Sequence, residues 1–170
     1  MGHTIVYQPN TTAVNSVDHL LKPTFSVQNK VLEGRLSEMG NNVNSYTSTH
    51  GDRYSISVSN DNSYMNAWSN GKKKKGTYST PANKFRATIK SLNDINTNIG
   101  VWALGTAVVM AIVVVAQFIP VANVIVDSVI SIVSLATGGG IGVAEAYELA
   151  NLIVALVVRQ EELDTYYGQI

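Results

Sequence analysis

The sequence predicts a mainly α-helical protein that combines amphipathic helices, a C-terminal apolar helical hairpin or bundle, and a small β-hairpin in its polar middle segment. The first observation behind this prediction is a run of 32 residues without a charge, from Ile95 to Val126. The second is that the 64 residues from Ile95 to Val158 hold only three ionised side chains, all acidic. The third is apolar periodicity, which is helical on both sides of a short segment with a period of two. A segment this poor in charge is suited to hydrocarbon or to a dry protein interface.

The two halves of the chain differ in charge. Residues 1–94 carry eleven Lys or Arg and six Asp or Glu, a net of +5, whereas residues 95–170 carry one Arg and six acids, a net of −5. We therefore expect a polar, basic N-terminal region at 1–80 and an apolar helical region at 81–170. Such a chain suits a protein that approaches anionic lipid and then buries its tail, but the two halves can equally pair with each other.

The N-terminal region holds one predicted helix and one predicted β-hairpin. Apolar residues three and four positions apart predict a helix over about residues 26–46. Between about residues 53 and 69, Tyr54, Ile56 and Val58 alternate with serines, which is the period of a half-exposed strand paired with a second strand. The hairpin is followed by a glycine-bracketed segment that we predict to be a basic loop, formed by Lys72, Lys73, Lys74 and Lys75.

Three helices are predicted in the apolar region. The first covers about residues 82–119 and opens at Thr80-Pro81, since a hydroxyl at the N-cap followed by proline is a preferred helix start. It ends at Pro120, which has no amide proton for the helical ladder. The others cover about 121–136 and 143–165. The glycines between them are predicted to form a hinge: Gly138, Gly139, Gly140 and Gly142.

Part of the apolar region is long enough to span a bilayer. A hydrocarbon core about 30 Å thick needs about 20 helical residues, and the uncharged segment from Val101 to Ile119 meets that requirement on its own. We therefore expect one membrane span there, with the next two helices as a conditional hairpin. Ala103, Ala107 and Ala111 repeat every four positions, which lets helices approach closely; we favour packing within one chain over contacts between copies. The predicted membrane-inserting or assembly core comprises Val101, Trp102, Leu104, Ala107, Ala111, Phe118, Pro120, Ile130 and Ile132.

The acidic residues and the lysines outside this core each have two possible roles. Asp127, Glu145 and Glu148 form a possible pH switch, since protonation would let the apolar segment enter lipid. Alternatively they lie on a polar stripe or cap helix N-termini, which we favour for Glu145 and Glu148. The lysines at 72–75 are predicted to contact lipid headgroups, with a simple solvated loop as the alternative. Nucleic acid is not expected, because no basic and aromatic platform accompanies the lysines.

No enzymatic activity, metal or cofactor is expected. The chain has no cysteine, which excludes disulfides and thiolate metal sites. His3, His19 and His50 lack ligand-like spacing, and no nucleophile or phosphate-binding motif is present. Residues 1–9 lack the features of a classical secretory signal. We therefore expect a membrane-associated protein or an extracellular assembly, exported by a dedicated exporter, by lysis or through a leader outside this sequence.

Two families share the pattern of the apolar region. The segment from Val121 to Val158, with an apolar run after Ser128, then Gly138-Gly-Gly-Ile-Gly, then a helix of small residues, resembles the central helices of circular bacteriocins. The longer segment from Ile99 to Val158 is similar in plan to the colicin-type pore-forming domain. Both resemblances imply membrane permeabilisation by a helical bundle. The acidic end of this chain, at Glu161, Glu162 and Asp164, departs from the basic circular bacteriocins.

These observations favour a non-enzymatic protein that inserts into lipid bilayers through an apolar helical hairpin and permeabilises them. The lipid bilayer is its expected partner, and a homo-oligomer is its expected assembly. The alternative is a self-assembling structural subunit, a viral coat or envelope protein or an extracellular filament protein, whose apolar helices bury against neighbouring copies or lipid. A small resident membrane protein such as a holin is a third alternative, which the polar half of the chain makes less suitable.

Overall fold

A computed structural model describes residues 42–170 of the chain. Within this range the protein is mainly helical and carries a small antiparallel sheet in its polar middle segment, so the predicted fold class is confirmed at this level. Of the helix predicted at about 26–46, residues 26–41 lie outside the described residues. Its last part is wrong, because Asn42–Thr47 is a β-strand.

The sheet is larger than the predicted β-hairpin. Its strands β1 (Asn42–Thr47), β2 (Arg53–Val58), β3 (Tyr64–Ser69) and β4 (Lys72–Thr77) form a meander of four antiparallel strands in chain order. The predicted hairpin corresponds to β2 and β3, at the centre of this sheet. The predicted basic loop is wrong, since all four lysines lie in β4.

Turn chemistry explains why the lysine segment is a strand. Asn70 and Gly71 are the two residues between β3 and β4, and both have positive φ, 50° and 85°. Asn-Gly with this conformation is the preferred two-residue hairpin turn. The Asn70 side chain accepts a hydrogen bond from the Arg53 amide at 2.8 Å, which fastens the turn to β2. The Asn-Gly pair is therefore the sequence signal that predicts a fourth strand.

Both faces of the central strands are buried. Tyr54, Ile56 and Val58 are at most 3% exposed, as an inward face requires. Ser55 and Ser57, on the opposite face, are 0% exposed. The prediction of a half-exposed strand is therefore wrong. A serine can be buried or exposed, so alternation with serine does not show whether the second face of a sheet is covered.

Four helices follow the sheet within the described residues: α1 (Thr80–Gly100), α2 (Thr106–Phe118), α3 (Ala122–Thr137) and α4 (Val143–Gln169). The last two correspond to the helices predicted at 121–136 and 143–165. The single helix predicted over 82–119 is wrong, because α1 and α2 are separate. Ser79 and not Thr80 occupies the N-cap position of α1, where its hydroxyl accepts a hydrogen bond from the Ala82 amide at 3.4 Å.

The first long helix is interrupted at residues 101–105, which we call the 101–105 break. Trp102 and Leu104 in this break are 3% and 2% exposed, and Ala103 has a left-handed backbone with φ 56°. Helical propensity favours continuity here, but it amounts to less than about 1 kcal/mol per residue. Burial of one large apolar side chain contributes about 1.5 to 3 kcal/mol. Burial of Trp102 and Leu104 therefore outweighs the local preference for a helix.

The described residues divide into two compact units. The sheet unit contains residues 42–94 and 159–170, and the helical unit contains residues 95–158. The sequence placed a division at residues 80 and 81, where the composition changes. Composition does not show that residues 80–94 of α1 pack on the sheet. They do so through the ring of Phe85, which lies against Tyr54, and through hydrogen bonds from Arg86 and Asn93 to β1.

The core of the sheet unit is aromatic and fastened by hydrogen bonds. The ring of Phe85 lies 6.3 Å from that of Tyr54 and 5.7 Å from that of Tyr167, measured between centroids. The Tyr54 hydroxyl donates a hydrogen bond to Asp164 Oδ1 at 3.0 Å. Gln160 Nε2 donates to the Tyr46 hydroxyl at 2.7 Å. These contacts join β1, β2 and the end of α4 in one unit.

Tyr54 makes the stability of the sheet unit sensitive to alkaline pH. Burial, followed by the hydrogen bond to Asp164 and the charge of that residue, raises the pKa of Tyr54 above its ordinary value of 10.0. The stability that the protonated Tyr54 contributes is fully present below pH 10 and is lost as the pH rises from 10 through the raised pKa of the folded state. We expect Tyr54→Phe to lower the free energy of unfolding by about 0.5 to 1.5 kcal/mol at pH 7. It should also flatten the fall in stability above pH 10.

Thermal unfolding at pH 7, 9 and 10.5 measures both effects. Tyr64→Phe is the matched control, since the Tyr64 side chain is 39% exposed at the start of β3. Equal alkaline loss in Tyr54→Phe and in the unmodified protein would contradict this role of Tyr54.

Candidate functional site: an uncharged surface on the helical unit

Helix α2 carries an exposed face without any charge. Its inward residues are Val108, Val109, Ile112, Val113 and Ala116, each at most 7% exposed. The opposite side exposes Ala107, Ala111, Val114 and Phe118, whose spacing of four, three and four residues places them on one helical face. Helices α2 and α3 contact one another. The outer face of α2 thus presents apolar side chains while its inner face packs in the helical unit.

The connection between α2 and α3 continues this apolar surface. Phe118 is 81% exposed, Ile119 42%, Val121 46% and Val124 55%. Pro120 between them is also exposed. We call Phe118, Ile119, Pro120, Val121 and Val124 the apolar tip. Large apolar side chains exposed next to each other mark interaction surfaces more often than single exposed ones do.

The backbone of the apolar tip is ordered by short-range hydrogen bonds. The Ile119 amide donates to the Val115 carbonyl at 3.0 Å, and the Val121 amide donates to the Ile119 carbonyl at 2.8 Å. Pro120 lacks an amide proton, so the helix ends here as the sequence predicts. The exposed apolar side chains of the tip are therefore held by defined backbone.

Some residues of the predicted membrane-inserting or assembly core are buried in the structure, and others are exposed. Trp102 and Leu104 are buried, Ile130 and Ile132 are partly buried, and Val101, at 61%, is exposed. The exposed group further contains Ala107, Ala111, Phe118 and Pro120.

The alanine repeat does not act as the sequence predicts. Ala103 lies in the 101–105 break, and Ala107 and Ala111 are exposed. The prediction that these alanines mediate helix packing within the chain is therefore wrong for Ala107 and Ala111. Alanine spacing does not distinguish the inner face of a helix from its outer face.

The three acidic residues lie in different surroundings. Asp127 and Glu148 are exposed. The Glu145 carboxylate folds back over Gly142, in the space that a Cβ at Gly142 would occupy. Glu145 is the third residue of α4, so this position is that of a helix-capping acid and supports the capping alternative. The pH switch remains a prediction for Asp127 and Glu148.

The predicted glycine hinge forms the connection between α3 and α4. Gly138 has φ 72°, and its amide donates to the Ser134 carbonyl at 3.0 Å, which is a left-handed C-cap of α3. Ile141, within the same connection, is 6% exposed. A hinge at Gly138, Gly139, Gly140 and Gly142 remains a prediction.

Strand alternation separates the four lysines. Lys72 and Lys74 share the face of Ala67, because β4 pairs Lys74 with Ala67 and Lys72 with Ser69. Lys73 and Lys75 lie on the other face, paired with Trp68 and Asn66. A run of four charges in a strand thus supplies two lysines to each side, and not one continuous patch.

Lys74 is engaged within the sheet unit. Its Nζ donates to the Tyr167 carbonyl at 2.7 Å and lies 4.7 Å from the centroid of the Tyr167 ring. Lys73 Nζ lies 5.3 Å from the centroid of the Trp68 ring. Lys72, Lys73 and Lys75 are exposed, whereas Lys74 is partly buried. Lysines on an edge strand also prevent pairing with other chains, which gives β4 a structural reason for its charge.

A groove on the helical unit, of about 500 Å³, is lined by Asn98, Val101, Trp102, Glu148, Asn151 and Leu152. Among the described residues no group of three or more His, Asp or Glu side chains is arranged to hold a metal ion.

No protein-family model, curated protein or solved structure matches this chain. In the part of the chain from residue 42 onward, no helix is both long enough and apolar enough to cross a bilayer.

Proposed function

We propose that this protein is a non-enzymatic, membrane-inserting protein that permeabilises lipid bilayers through the helical hairpin formed by α2 and α3. The observation that carries the proposal is the apolar tip. Its side chains are exposed to water, and no charged residue occurs from Ile95 to Val126 on either side of it. Such a surface can be buried in the hydrocarbon of a bilayer, which does not require a surface of complementary shape as a protein partner does.

The free energies favour shallow entry of the hairpin. Transfer of a fully exposed large apolar side chain out of water contributes about 1.5 to 3 kcal/mol. Several partly exposed tip side chains thus contribute on the order of 5 kcal/mol. Asp127 lies three residues after Val124, and an aspartate at the bilayer centre costs about 2.5 to 3.5 kcal/mol. The apolar side chains of the tip therefore gain enough free energy for the tip to enter the bilayer, and the charge of Asp127 limits the depth of entry.

The arms of the hairpin do not reach across a bilayer by themselves. Helix α2 has 13 residues, a length of about 20 Å, and α3 has 16 residues, a length of about 24 Å. The hydrocarbon core is about 30 Å thick. The hairpin in this conformation enters one leaflet, and permeabilisation requires either a lesion or a longer helix.

The lysines of β4 supply attraction to anionic headgroups. Each lysine near an anionic surface contributes about 1 kcal/mol. Lys73 and Lys75 lie together on one face of β4 and are exposed, so they are the lysines best placed for this contact. Lys74, which binds Tyr167, contributes less.

Dye release from liposomes tests the proposal. We expect the protein to release dye from anionic vesicles at pH 7, and faster release at pH 5 would support the predicted pH switch at Asp127 and Glu148. Vesicles of zwitterionic lipid are the control and should release less dye. Absence of leakage from anionic vesicles at both pH values would refute the proposal.

A structural subunit is the second candidate, and the outer face of α2 favours it. Ala107, Ala111, Val114 and Phe118 form an uncharged helical face that a second copy can cover. Sedimentation of the same preparation without lipid separates the two functions. A small species that causes leakage supports membrane insertion, whereas large regular particles without leakage support the structural subunit.

A further inference from the structure

The 101–105 break begins with a tightened last turn of α1. The Trp102 amide donates to the Ile99 carbonyl at 3.1 Å and the Ala103 amide to the Gly100 carbonyl at 3.2 Å. These are 3₁₀-type hydrogen bonds between residues three positions apart. They tighten the last turn of α1, where a continuing α-helix would have bonds between residues four positions apart. Helix α2 begins at Thr106, directly after the break. The break contains no proline, so the backbone can close into a helix.

Local strain opposes the broken form. Ala103 has φ 56°, a left-handed backbone conformation. An alanine populates this conformation about five- to thirtyfold less than the right-handed helical one. Gly105, the N-cap of α2, has φ −66° and ψ 155°, which any residue can adopt. Burial of Trp102, Ala103 and Leu104, at most 8% exposed, stabilises the broken form in water.

Lipid removes this stabilisation. Apolar side chains gain nothing from burial in protein when the surroundings are hydrocarbon. Irregular backbone exposed to hydrocarbon is costly, because its amide and carbonyl groups need partners that a helix supplies internally. Strain at Ala103 then favours the helical conformation.

We propose that the 101–105 break is a conformational switch that closes into helix on contact with lipid and joins the end of α1 to α2 as one membrane-spanning helix. The segment from Ile95 to Ile119 has 25 uncharged residues, a helical length of about 37 Å, enough to cross a core of about 30 Å. This inference rests on the proposed function and supplies the longer helix that α2 alone does not.

Two substitutions at the break should change leakage in opposite directions. Ala103→Gly removes the left-handed strain from the broken form and disfavours the helical form, so we expect leakage at least tenfold slower. Gly105→Ala fits the broken form, since nothing lies within 4 Å of its added Cβ, and favours the helical form about fivefold. We expect leakage about three- to fivefold faster. Ala87→Gly, at an exposed residue of α1, is the control for alanine-to-glycine exchange and should leave leakage unchanged.

A spectroscopic distance reports the switch itself. Because the chain has no cysteine, spin labels can be placed at Asn98→Cys and Ala111→Cys alone. The separation of 13 positions between these residues corresponds to about 20 Å along a continuous helix. We expect a narrow distribution near that distance on anionic vesicles and a different distribution in solution.

The outcomes separate the two proposals. Two results together would overturn the switch and leave the membrane function standing. The first is equal leakage by the unmodified protein, Ala103→Gly and Gly105→Ala. The second is the same label distance in solution and on vesicles. No leakage by the unmodified protein would overturn both.

Discussion

Phe118→Asp is expected to reduce dye release from anionic vesicles by at least a hundredfold. The substitution places a charge in the apolar tip, at Phe118, which is 81% exposed. An aspartate in the hydrocarbon costs about 2.5 to 3.5 kcal/mol, and the phenylalanine contribution of about 2 kcal/mol is lost as well. Their sum, about 5 kcal/mol, exceeds the 2.8 kcal/mol of a hundredfold change, at about 1.4 kcal/mol for each factor of ten. The fold should be unaffected, because the side chain is largely in water.

Leu135→Asp is the matched control for this prediction. Leu135 is 87% exposed and lies near the other end of α3, away from the tip. The same charge on an equally exposed apolar residue should change leakage by less than threefold. Leakage unchanged in Phe118→Asp, or equally reduced in both variants, would show that the apolar tip has no special role.

Phe85→Ala is expected to destabilise the protein by about 3 to 5 kcal/mol, the range for loss of a large aromatic side chain from a core. Phe85 is 0% exposed and its ring contacts those of Tyr54 and Tyr167. Its removal leaves a cavity in the sheet unit, between α1, β2 and the end of α4. Denaturant unfolding followed by circular dichroism measures the loss.

Lys84→Ala is the control for Phe85→Ala. Lys84 is exposed on the neighbouring position of α1, and its Nζ lies 5.8 Å from the centroid of the Tyr166 ring. Loss of such a surface contact costs about 0.5 to 1 kcal/mol. Equal effects of the two substitutions would contradict the aromatic core described for the sheet unit.

The sequence predicted the parts of the fold that depend on period and charge. The apolar segments at 121–136 and 143–165 correspond to α3 and α4, because their boundaries carry strong local signals, Pro120 and the glycines from Gly138 onward. The central strands were recognisable from the alternation around Ile56. The candidate surface is also predicted in part, since Phe118 and Pro120 belong to the predicted membrane-inserting or assembly core.

The sequence did not predict features that tertiary contacts decide. The 101–105 break depends on burial of Trp102 and Leu104, and no residue in the local sequence predicts it. Burial of the second face of β2 could not be predicted, because that face carries polar serines. The spacing of Ala107 and Ala111 does not show that they lie on the outer face of α2. The strand β4 is a different case, because Asn70-Gly71 is a hairpin signal that the four adjacent lysines obscured.

The most direct test of membrane insertion is the environment of the apolar tip. An environment-sensitive fluorophore attached to Phe118→Cys reports it, and the cysteine-free chain makes the label unique. Asp61→Cys, in the exposed turn between β2 and β3, is the reference position. On anionic vesicles we predict a blue shift and a rise in intensity at position 118, with little change at position 61. An unchanged spectrum at position 118 on vesicles that bind the protein would contradict insertion through the α2–α3 hairpin.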